Sequence, residues 1–202
     1  MDEKDTQKRL NMFLGPEYIS FKNTGYSEEP YLEGANAIHL ANEIFGYDGW
    51  SSEVKEVKIE DVEEKGGRYT ISSTALIRVT LSKTGVHRED IGFGVSENIA
   101  GKGKAMKNAQ KSAVTDALKR ALRQFGNALG NCCHDKEYIK AIRRMKKHAH
   151  PPVDESQMLR PNSSLRSDES ARAEQQRAKK KNREYIGTRH LKIEDLSSSE
   201  IG

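Results

Sequence analysis

The sequence predicts an α+β fold with a β-β-β-α core: an antiparallel three-stranded sheet packs on one long basic helix, and further helices flank this unit. Two patterns predict it. From Trp50 to about residue 95, apolar and polar side chains alternate with a period of two, which is typical of half-buried strands. Residues 104–130 then contain no proline and repeat alanine at helical spacing, which is typical of a long helix that packs closely on a sheet.

The residues before the sheet are predicted to form two helices with short extended segments between them. Residues 3–14 favour a short helix. Its apolar side consists of Leu10, Met12, Phe13 and Leu14. The stretch GPEYISFKNTGYSEEPYLEG contains two prolines and three glycines, which favour turns and short extended pieces. Apolar residues that include Ile38 recur at helical spacing over 34–45, and Gly46 suits the C-terminal end of that helix.

Three strands are predicted between residues 50 and 100. A weaker strand over about 50–62 reaches the turn KGG, which favours a hairpin. The stretch RYTISSTALIRVTL, residues 68–81, alternates more strictly and predicts a long half-buried strand. The turn KTG leads into a third strand, where Ile91, Phe93 and Val95 alternate. Together the strands are expected to form an antiparallel meander.

The rest of the chain is predicted to be a short helix followed by a polar segment. The helix covers about 135–147, and from Pro151 the chain contains eight serines and the basic run KKKNR. Only 35% of all residues are apolar and 32% are charged, so part of the chain is expected to lack a packed core. We therefore divide the chain into a folded domain, 1–150, and a disordered, polar, basic tail, 151–202.

Several features bear on where the protein works. No run of about 18 apolar residues occurs and the N-terminus lacks an apolar signal-peptide core, so no membrane partner is expected. The adjacent cysteines Cys132 and Cys133 form no disulfide framework and indicate a reducing compartment. The runs KKKNR and RRMKK are typical nuclear-import patches, which predicts a nuclear location.

Charge is segregated along the chain. Residues 1–99 hold 11 Lys and Arg against 18 Asp and Glu, whereas residues 100–147 hold 13 against 3. In the long helix, Lys107, Lys111, Thr115, Lys119 and Arg123 are spaced by four and form one slowly winding stripe. Because like charges at this spacing repel, the stripe favours an external anion over a merely solvated face. A sulfated polymer or a membrane surface would fit this pattern as well as DNA does.

Three other motifs suggest a specific site but have simpler interpretations. The segment SENIAGKGKAMK resembles a phosphate-binding loop, but Ser96 replaces the first glycine and Gly103 replaces the magnesium-binding hydroxyl residue. The motif CCHD, with His148 and His150 beyond it, lacks the cysteine spacing of a zinc site. The motif HRED, residues 87–90, could supply acids to a metal-dependent nuclease, but a solvated strand end is the simpler reading.

Four long motifs resemble one known family. LGPEYIS, ANEIFGYDGW, HREDIGFGVSE and VTDALKRALRQFGNALGN resemble, in this order, the N-terminal domain of the eukaryotic Rad-fifty-two family of recombination mediators, from about Leu14 to Tyr138. The resemblance implies a β-β-β-α protomer of a closed ring. It also implies a groove that binds single-stranded DNA and anneals complementary strands without ATP, any other cofactor or an enzymatic step.

The family's DNA-binding residues can be carried over one at a time. The inner groove corresponds to Lys22, Tyr31, Lys119, Arg120 and Arg123. An outer site, which implies double-stranded DNA as a further partner, corresponds to Arg68, Lys136 and Lys140. A further outer-site lysine of the family falls on Ala100, and Lys102 is its nearest substitute.

The resemblance leaves some alternatives open. Better-known members bind the strand-exchange recombinase and replication protein A through a long C-terminal region, so both are candidate partners, although the tail contains no aromatic-centred recombinase motif. The rival functions are a metal-dependent nuclease that uses acids around 89–97, and a module that coats DNA without annealing it.

Overall fold

The computed structural model describes residues 3–23, 25, 28–147, 156 and 158. The elements in chain order are α1 (Glu3–Leu10), β1 (Ile19–Asn23), β2 (Glu28–Leu32), α2 (Gly34–Phe45), β3 (Trp50–Lys65), β4 (Arg68–Leu81), β5 (His87–Ala100), α3 (Lys102–Arg123) and α4 (Lys136–Ile142). Short 3₁₀-helices occupy Pro16–Tyr18, Asn127–Leu129 and Asn131–His134. The predicted α+β fold, with an antiparallel three-stranded sheet on a long helix and flanking helices, is confirmed.

The chain divides into two units, residues 1–150 and residues 151–202. Of the second unit only residues 156 and 158 are described, so the predicted disorder of the tail lies outside the described residues. No helix among those described is long and apolar enough to cross a membrane.

The main sheet is a meander with the order β3-β4-β5, and both pairings are antiparallel. Lys65 pairs with Arg68, and the two residues between them, Gly66 and Gly67, have φ angles of 59° and 73°. Two successive positive φ angles match a two-residue hairpin turn whose twist suits the strands, and glycine adopts them without steric cost. The predicted KGG hairpin is therefore confirmed.

Helix α3 lies unusually close to strand β5. One face of α3 carries Ala105, Ala109, Ala113, Ala117 and Ala121, all with no exposed surface. Opposite them on β5 are Gly92 and Gly94, and a Cβ built on Gly92 would lie 2.1 Å from the Ala117 nitrogen. Only small residues on both elements permit this approach of two backbones.

The face of β5 that contacts α3 was not evident from the sequence. Gly92, Gly94 and Ser96 are buried against the helix, whereas Ile91 and Phe93 lie on the opposite face, 60% and 54% exposed. The larger side chains of this strand are thus the exposed ones, because the helix comes too close for any side chain beyond a hydroxymethyl group.

Three helix ends differ from the predictions. Helix α1 ends at Leu10 and not at residue 14; Leu10 and Leu14 are buried while Met12 and Phe13 are largely exposed. Helix α3 ends at Arg123 and not at residue 130, because the chain changes to 3₁₀-turns at Gly126 and Gly130. Helix α4 covers only Lys136–Ile142.

The helices and strands before β3 contribute buried residues to the hydrophobic core. Helix α2 has the predicted bounds, although Ile38 is exposed. Strands β1 and β2 form a separate two-stranded hairpin in which Ile19 pairs with Leu32, and both of these residues are buried. Helix α4 follows Asp135, whose Oδ1 accepts hydrogen bonds from the Glu137 and Tyr138 amides. This N-cap fixes the start of α4.

Candidate nucleic-acid interface

A cleft lies between the β1–β2 hairpin and helix α3. It encloses about 630 Å³ and is open to solvent. Lys22 and Tyr31 line it from the hairpin, and Lys111 and Lys119 line it from the helix. The remaining lining residues are Glu29, Pro30, Phe93, Asn108, Ser112, Thr115 and Asp116. Two elements far apart in sequence thus direct lysine side chains into one space.

Tyr31 and Lys119 are in direct contact across this cleft. The Lys119 Nζ lies 5.3 Å from the centroid of the Tyr31 ring, the geometry of a cation–π interaction. Such a contact holds the ammonium group near the mouth of the cleft without neutralising its charge. Tyr31 therefore orients a cation, and one face of its ring is covered.

A second, smaller cleft continues from the first one. Its lining includes Tyr31, Lys119, Arg120, Arg123 and His134, so it shares Tyr31 and Lys119 with the first. Taken together, the two clefts form one continuous surface, called here the inner cleft. The structure thereby brings all five residues of the predicted inner groove together.

Asp90 of β5 holds both arginines of the inner cleft. Its Oδ1 lies 3.2 Å from Arg120 Nε, and its Oδ2 lies 4.0 Å from Arg123 Nη2. Gln124 Nε2 donates a further hydrogen bond of 3.1 Å to Oδ2. One carboxylate cannot neutralise two guanidinium groups, so a positive charge remains. Sequence reasoning did not single out Asp90 for this role, because no local pattern links residue 90 to residues 120–124.

His134 is the second residue that positions Arg123. Its Nε2 is in short contact with Arg123 Nη1. Burial lowers the pKa of His134, and the nearby charges of Arg123 and Arg120 lower it further. The imidazole is therefore neutral near pH 7 and accepts the hydrogen bond that Arg123 donates. The motif CCHD suggested only a metal site for His134, and no sequence signal connects His134 to Arg123.

The cysteines lie beside this network. Cys132 is fully buried and Cys133 is half-buried, and both are free thiols. A hydrogen bond from Cys133 lowers the pKa of Cys132 to about 7. No group of three or more His, Cys, Asp or Glu side chains that could hold a metal occurs in the described part of the chain. His148 and His150 lie outside it.

The residues of the predicted outer site occupy two separate places. Arg68 begins β4, where its Nε and Nη2 donate hydrogen bonds to Asn98, and its backbone pairs with Ala100, close to Lys102. Lys136 and Lys140 lie in α4, beyond the other end of α3. A helix of 22 residues spans about 33 Å, so a single chain does not gather these four cations into one patch.

The acids of the HRED motif already have cationic partners. Glu89 Oε1 lies 2.5 Å from Arg78 Nε, and Asp90 binds Arg120. Asp116 accepts a hydrogen bond of 3.2 Å from the Phe93 amide at the open edge of the sheet. A metal-dependent nuclease needs free carboxylates that converge on one ion. Glu89 and Asp90 are instead paired with arginines, and Asp116 accepts a backbone amide of β5.

The segment that resembled a phosphate-binding loop is not a loop. Strand β5 continues to Ala100 and helix α3 begins at Lys102, so only Gly101 separates them. A nucleotide-binding loop needs several consecutive amides that wrap around the phosphates. A single residue cannot provide them.

Comparisons with known proteins point to one family. The family model described as "Rad52/22 family double-strand break repair protein" matches residues 2–151. The chain is 52% identical over 163 residues to the "DNA repair and recombination protein RAD52" of Kluyveromyces lactis, which covers 80% of this chain and 37% of that protein. It is 49% identical over 176 residues to the protein of the same name in Saccharomyces cerevisiae, covering 82% and 37%.

A third relative is more distant. The "DNA repair and recombination protein rad22" of Schizosaccharomyces pombe is 44% identical over 143 residues, which covers 69% of this chain and 30% of that protein. The chain thus spans about a third of the length of the curated relatives that it matches.

Proposed function

The chain belongs to the Rad52/22 family of double-strand break repair proteins, and from this premise we propose that it binds single-stranded DNA in the inner cleft and promotes annealing of complementary strands. It does so as part of homologous recombination and double-strand break repair in the nucleus, without ATP and without a catalytic step. Several copies act together as a ring, so that their inner clefts join into one groove.

The observation that carries this proposal is the charge of the inner cleft. Lys22, Lys111, Lys119, Arg120 and Arg123 reach it from the hairpin and the helix. The carboxylates near them, Glu29, Asp90 and Asp116, are fewer. A basic surface in an open cleft fits a phosphate backbone, which such groups hold irrespective of base sequence.

The same inner cleft suits annealing because it offers little to the bases. Phosphate contacts position a strand while its base edges remain free to pair. A stacking platform would instead cover the base faces. The chain contains only 13 aromatic residues. Among the described ones, Tyr31 and Phe93 line the inner cleft, and Tyr31 has one ring face covered by Lys119. Two rings do not form an extended stacking platform. The protein therefore concentrates and orders strands, which lowers the entropy lost on pairing.

The remaining assignments are part of the proposal. Residues 1–150 carry DNA binding and oligomerisation, and residues 151–202 form a tail that annealing does not require. An outer site for double-stranded DNA forms once several copies assemble. It consists of Arg68 and Lys102 of one copy and Lys136 and Lys140 of a neighbouring copy. The strand-exchange recombinase and replication protein A are the protein partners that the family suggests.

An annealing assay tests this function. Two complementary oligonucleotides, one of them fluorescent, are mixed with purified protein in the absence of ATP, and duplex formation is followed in time. We expect Lys119→Ala to slow annealing, whereas Lys83→Ala, which removes an exposed lysine in the β4–β5 turn, should not. Strand binding without faster annealing would indicate a coating module, and cleavage of the strand on addition of Mg²⁺ would indicate the nuclease.

Ring formation is tested separately by light scattering. The expected mass is that of many copies at micromolar protein concentration, because contacts between unlike faces close into rings when the rotation per subunit allows it. A monomer or a dimer at that concentration would contradict the ring.

A further inference from the structure

Two adjacent thiols lie where two basic clefts meet. Cys132 points inward and has no exposed surface, whereas Cys133 is half-buried. Cys133 lines the inner cleft beside Lys119 and Arg123. It also lines a separate cleft of about 390 Å³ on the other side, together with Lys136, Lys140 and Arg143. Cys133 is thus the partly exposed cysteine of the pair, and it lies between two groups of cations.

The surroundings of Cys133 favour reaction with an anionic reagent. Six Lys and Arg side chains line the two clefts around it, which raises the local concentration of small anions. The hydrogen bond to Cys132 and burial raise the pKa of Cys133, and the nearby charges of Lys119 and Arg123 oppose that rise. The thiolate is the reactive form of cysteine, so Cys133 reacts when a neighbouring group accepts its proton. Cys132 is hydrogen-bonded to Cys133 and can take up its proton as Cys133 attacks.

We propose that Cys133 is a modification site that forms a mixed disulfide with small anionic disulfides of the oxidised-glutathione class, and that the adduct closes the neighbouring end of the inner cleft. The effect of this closure on DNA binding rests on the proposed function. The Cys133 sulfur attacks one sulfur of the reagent, and a new S–S bond forms. The reagent's own S–S bond breaks and its other half leaves as a thiolate. Cys133 is oxidised, the leaving half is reduced, and the Cys133 proton moves to the Cys132 thiolate.

Local geometry makes this adduct persist. The usual fate of a mixed disulfide beside a second thiol is exchange into an internal disulfide. Cys132 and Cys133 are joined by a trans peptide, which holds their Cα atoms about 3.8 Å apart. Unstrained disulfides need a Cα separation of about 4.4 Å or more. Cys132 therefore assists the attack but resolves the product poorly.

The adduct would act on DNA binding in two ways. The part of the inner cleft beside Cys133 encloses about 140 Å³, the space of only a few water molecules, so a tripeptide fills it. The carboxylates of glutathione would also lie beside Lys119 and Arg123 and compete with phosphates for them. Loss of one charge-assisted phosphate contact should weaken single-strand binding roughly tenfold.

The experiment uses the full chain treated with oxidised glutathione at neutral pH. Intact-mass spectrometry measures the number of glutathionyl groups per chain, and peptide mapping locates them. Affinity for fluorescent oligothymidine is then measured before treatment, after treatment, and after reversal with dithiothreitol. Cys132→Ser and Cys133→Ser are treated in parallel.

We expect one adduct on the wild-type chain, located at Cys133, and one on Cys132→Ser, but none on Cys133→Ser. Treatment should weaken DNA binding of the wild type roughly tenfold and dithiothreitol should restore it, while Cys133→Ser keeps its own affinity through the same treatment. Absence of an adduct at Cys133, or full modification without loss of affinity, would overturn the inference. If untreated protein shows no salt-dependent binding of oligothymidine, the proposed function fails instead, whatever the mass spectrum shows.

Discussion

Arg123 offers the sharpest test of the phosphate contacts in the inner cleft. Its guanidinium lies at the C-terminal end of α3, where His134 and Asp90 hold it at the surface. Replacing it with alanine removes one cation but leaves Arg120 on Asp90, so the carboxylate keeps a partner. The fold should therefore tolerate Arg123→Ala, and any loss of affinity reports on DNA.

The size of the effect follows from counterion release. For single strands, the slope of log affinity against log salt concentration is about −0.7 per neutralised phosphate. If Arg123 holds one phosphate per subunit, Arg123→Ala should flatten the slope by up to about 0.7 for each subunit in contact with the strand. The affinity at low salt should fall roughly tenfold, and equally for all base sequences.

The assay is a salt titration of binding to fluorescent oligothymidine, with thermal melts of the same samples. Arg78→Ala is the matched control, because it removes an arginine paired with a β5 carboxylate, Glu89, that lies outside the inner cleft. Arg120→Ala should both flatten the slope and lower the melting temperature, since it removes the nearer of the two cations that contact Asp90. If Arg123→Ala binds like the parent at every salt concentration, Arg123 holds no phosphate and the inner cleft is wrongly assigned.

Two further predictions concern pH and packing. The lowered pKa of His134 means that the unfolded chain takes up a proton near pH 6.5 while the folded chain resists it, so stability should be complete above pH 6.5 and decline as the pH falls below it. Thermal melts between pH 8 and pH 5 should show this decline in the parent and in His39→Gln, a control that removes an exposed histidine. The decline should be smaller in His134→Gln, and a decline in that variant equal to the parent's would contradict the role of His134. Gly92→Ala should cost about 1–3 kcal/mol, because its Cβ would meet backbone atoms of α3 at 2.1 and 2.4 Å, whereas Gly103→Ala, with nothing within 4 Å, should be neutral or stabilising. Urea unfolding of both variants checks this, and equal stabilities would show that α3 can move away from β5.

The sequence was most informative where one element carries a regular pattern. Alternation over 68–81 correctly predicted a half-buried strand, because Ile71, Ala75, Ile77 and Val79 have a period of two that only a strand can bury on one face. Helix α2 ended where predicted, at Phe45 before Gly46. The alanine repeat of α3 also predicted a close approach to the sheet. Each of these features depends on neighbours in sequence.

Features that depend on pairs of distant elements could not be predicted. The exposed face of β5 follows from the closeness of α3, and apolar alternation alone favours burying Ile91 and Phe93 over Gly92. Asp90 and His134 position Arg123 from 33 residues before it and 11 residues after it, as the numbering shows. No period or motif encodes such contacts, because they exist only once β5, α3 and the turn before α4 have packed together.

The segregation of charge in the sequence survives folding, and the sheet explains how. A third of the acids of residues 1–99 lie on β3, where Glu53, Glu56, Glu60, Asp61, Glu63 and Glu64 are all exposed. That strand is the sheet edge farthest from β5, and α3 packs mainly on β5 and β4. Asp90 and Asp116, from the central elements, lie beside the inner cleft, and both also accept backbone amides of β5. Five cations of the inner cleft therefore face three carboxylates, counting Glu29 of the hairpin, and the surplus is available to an external polyanion.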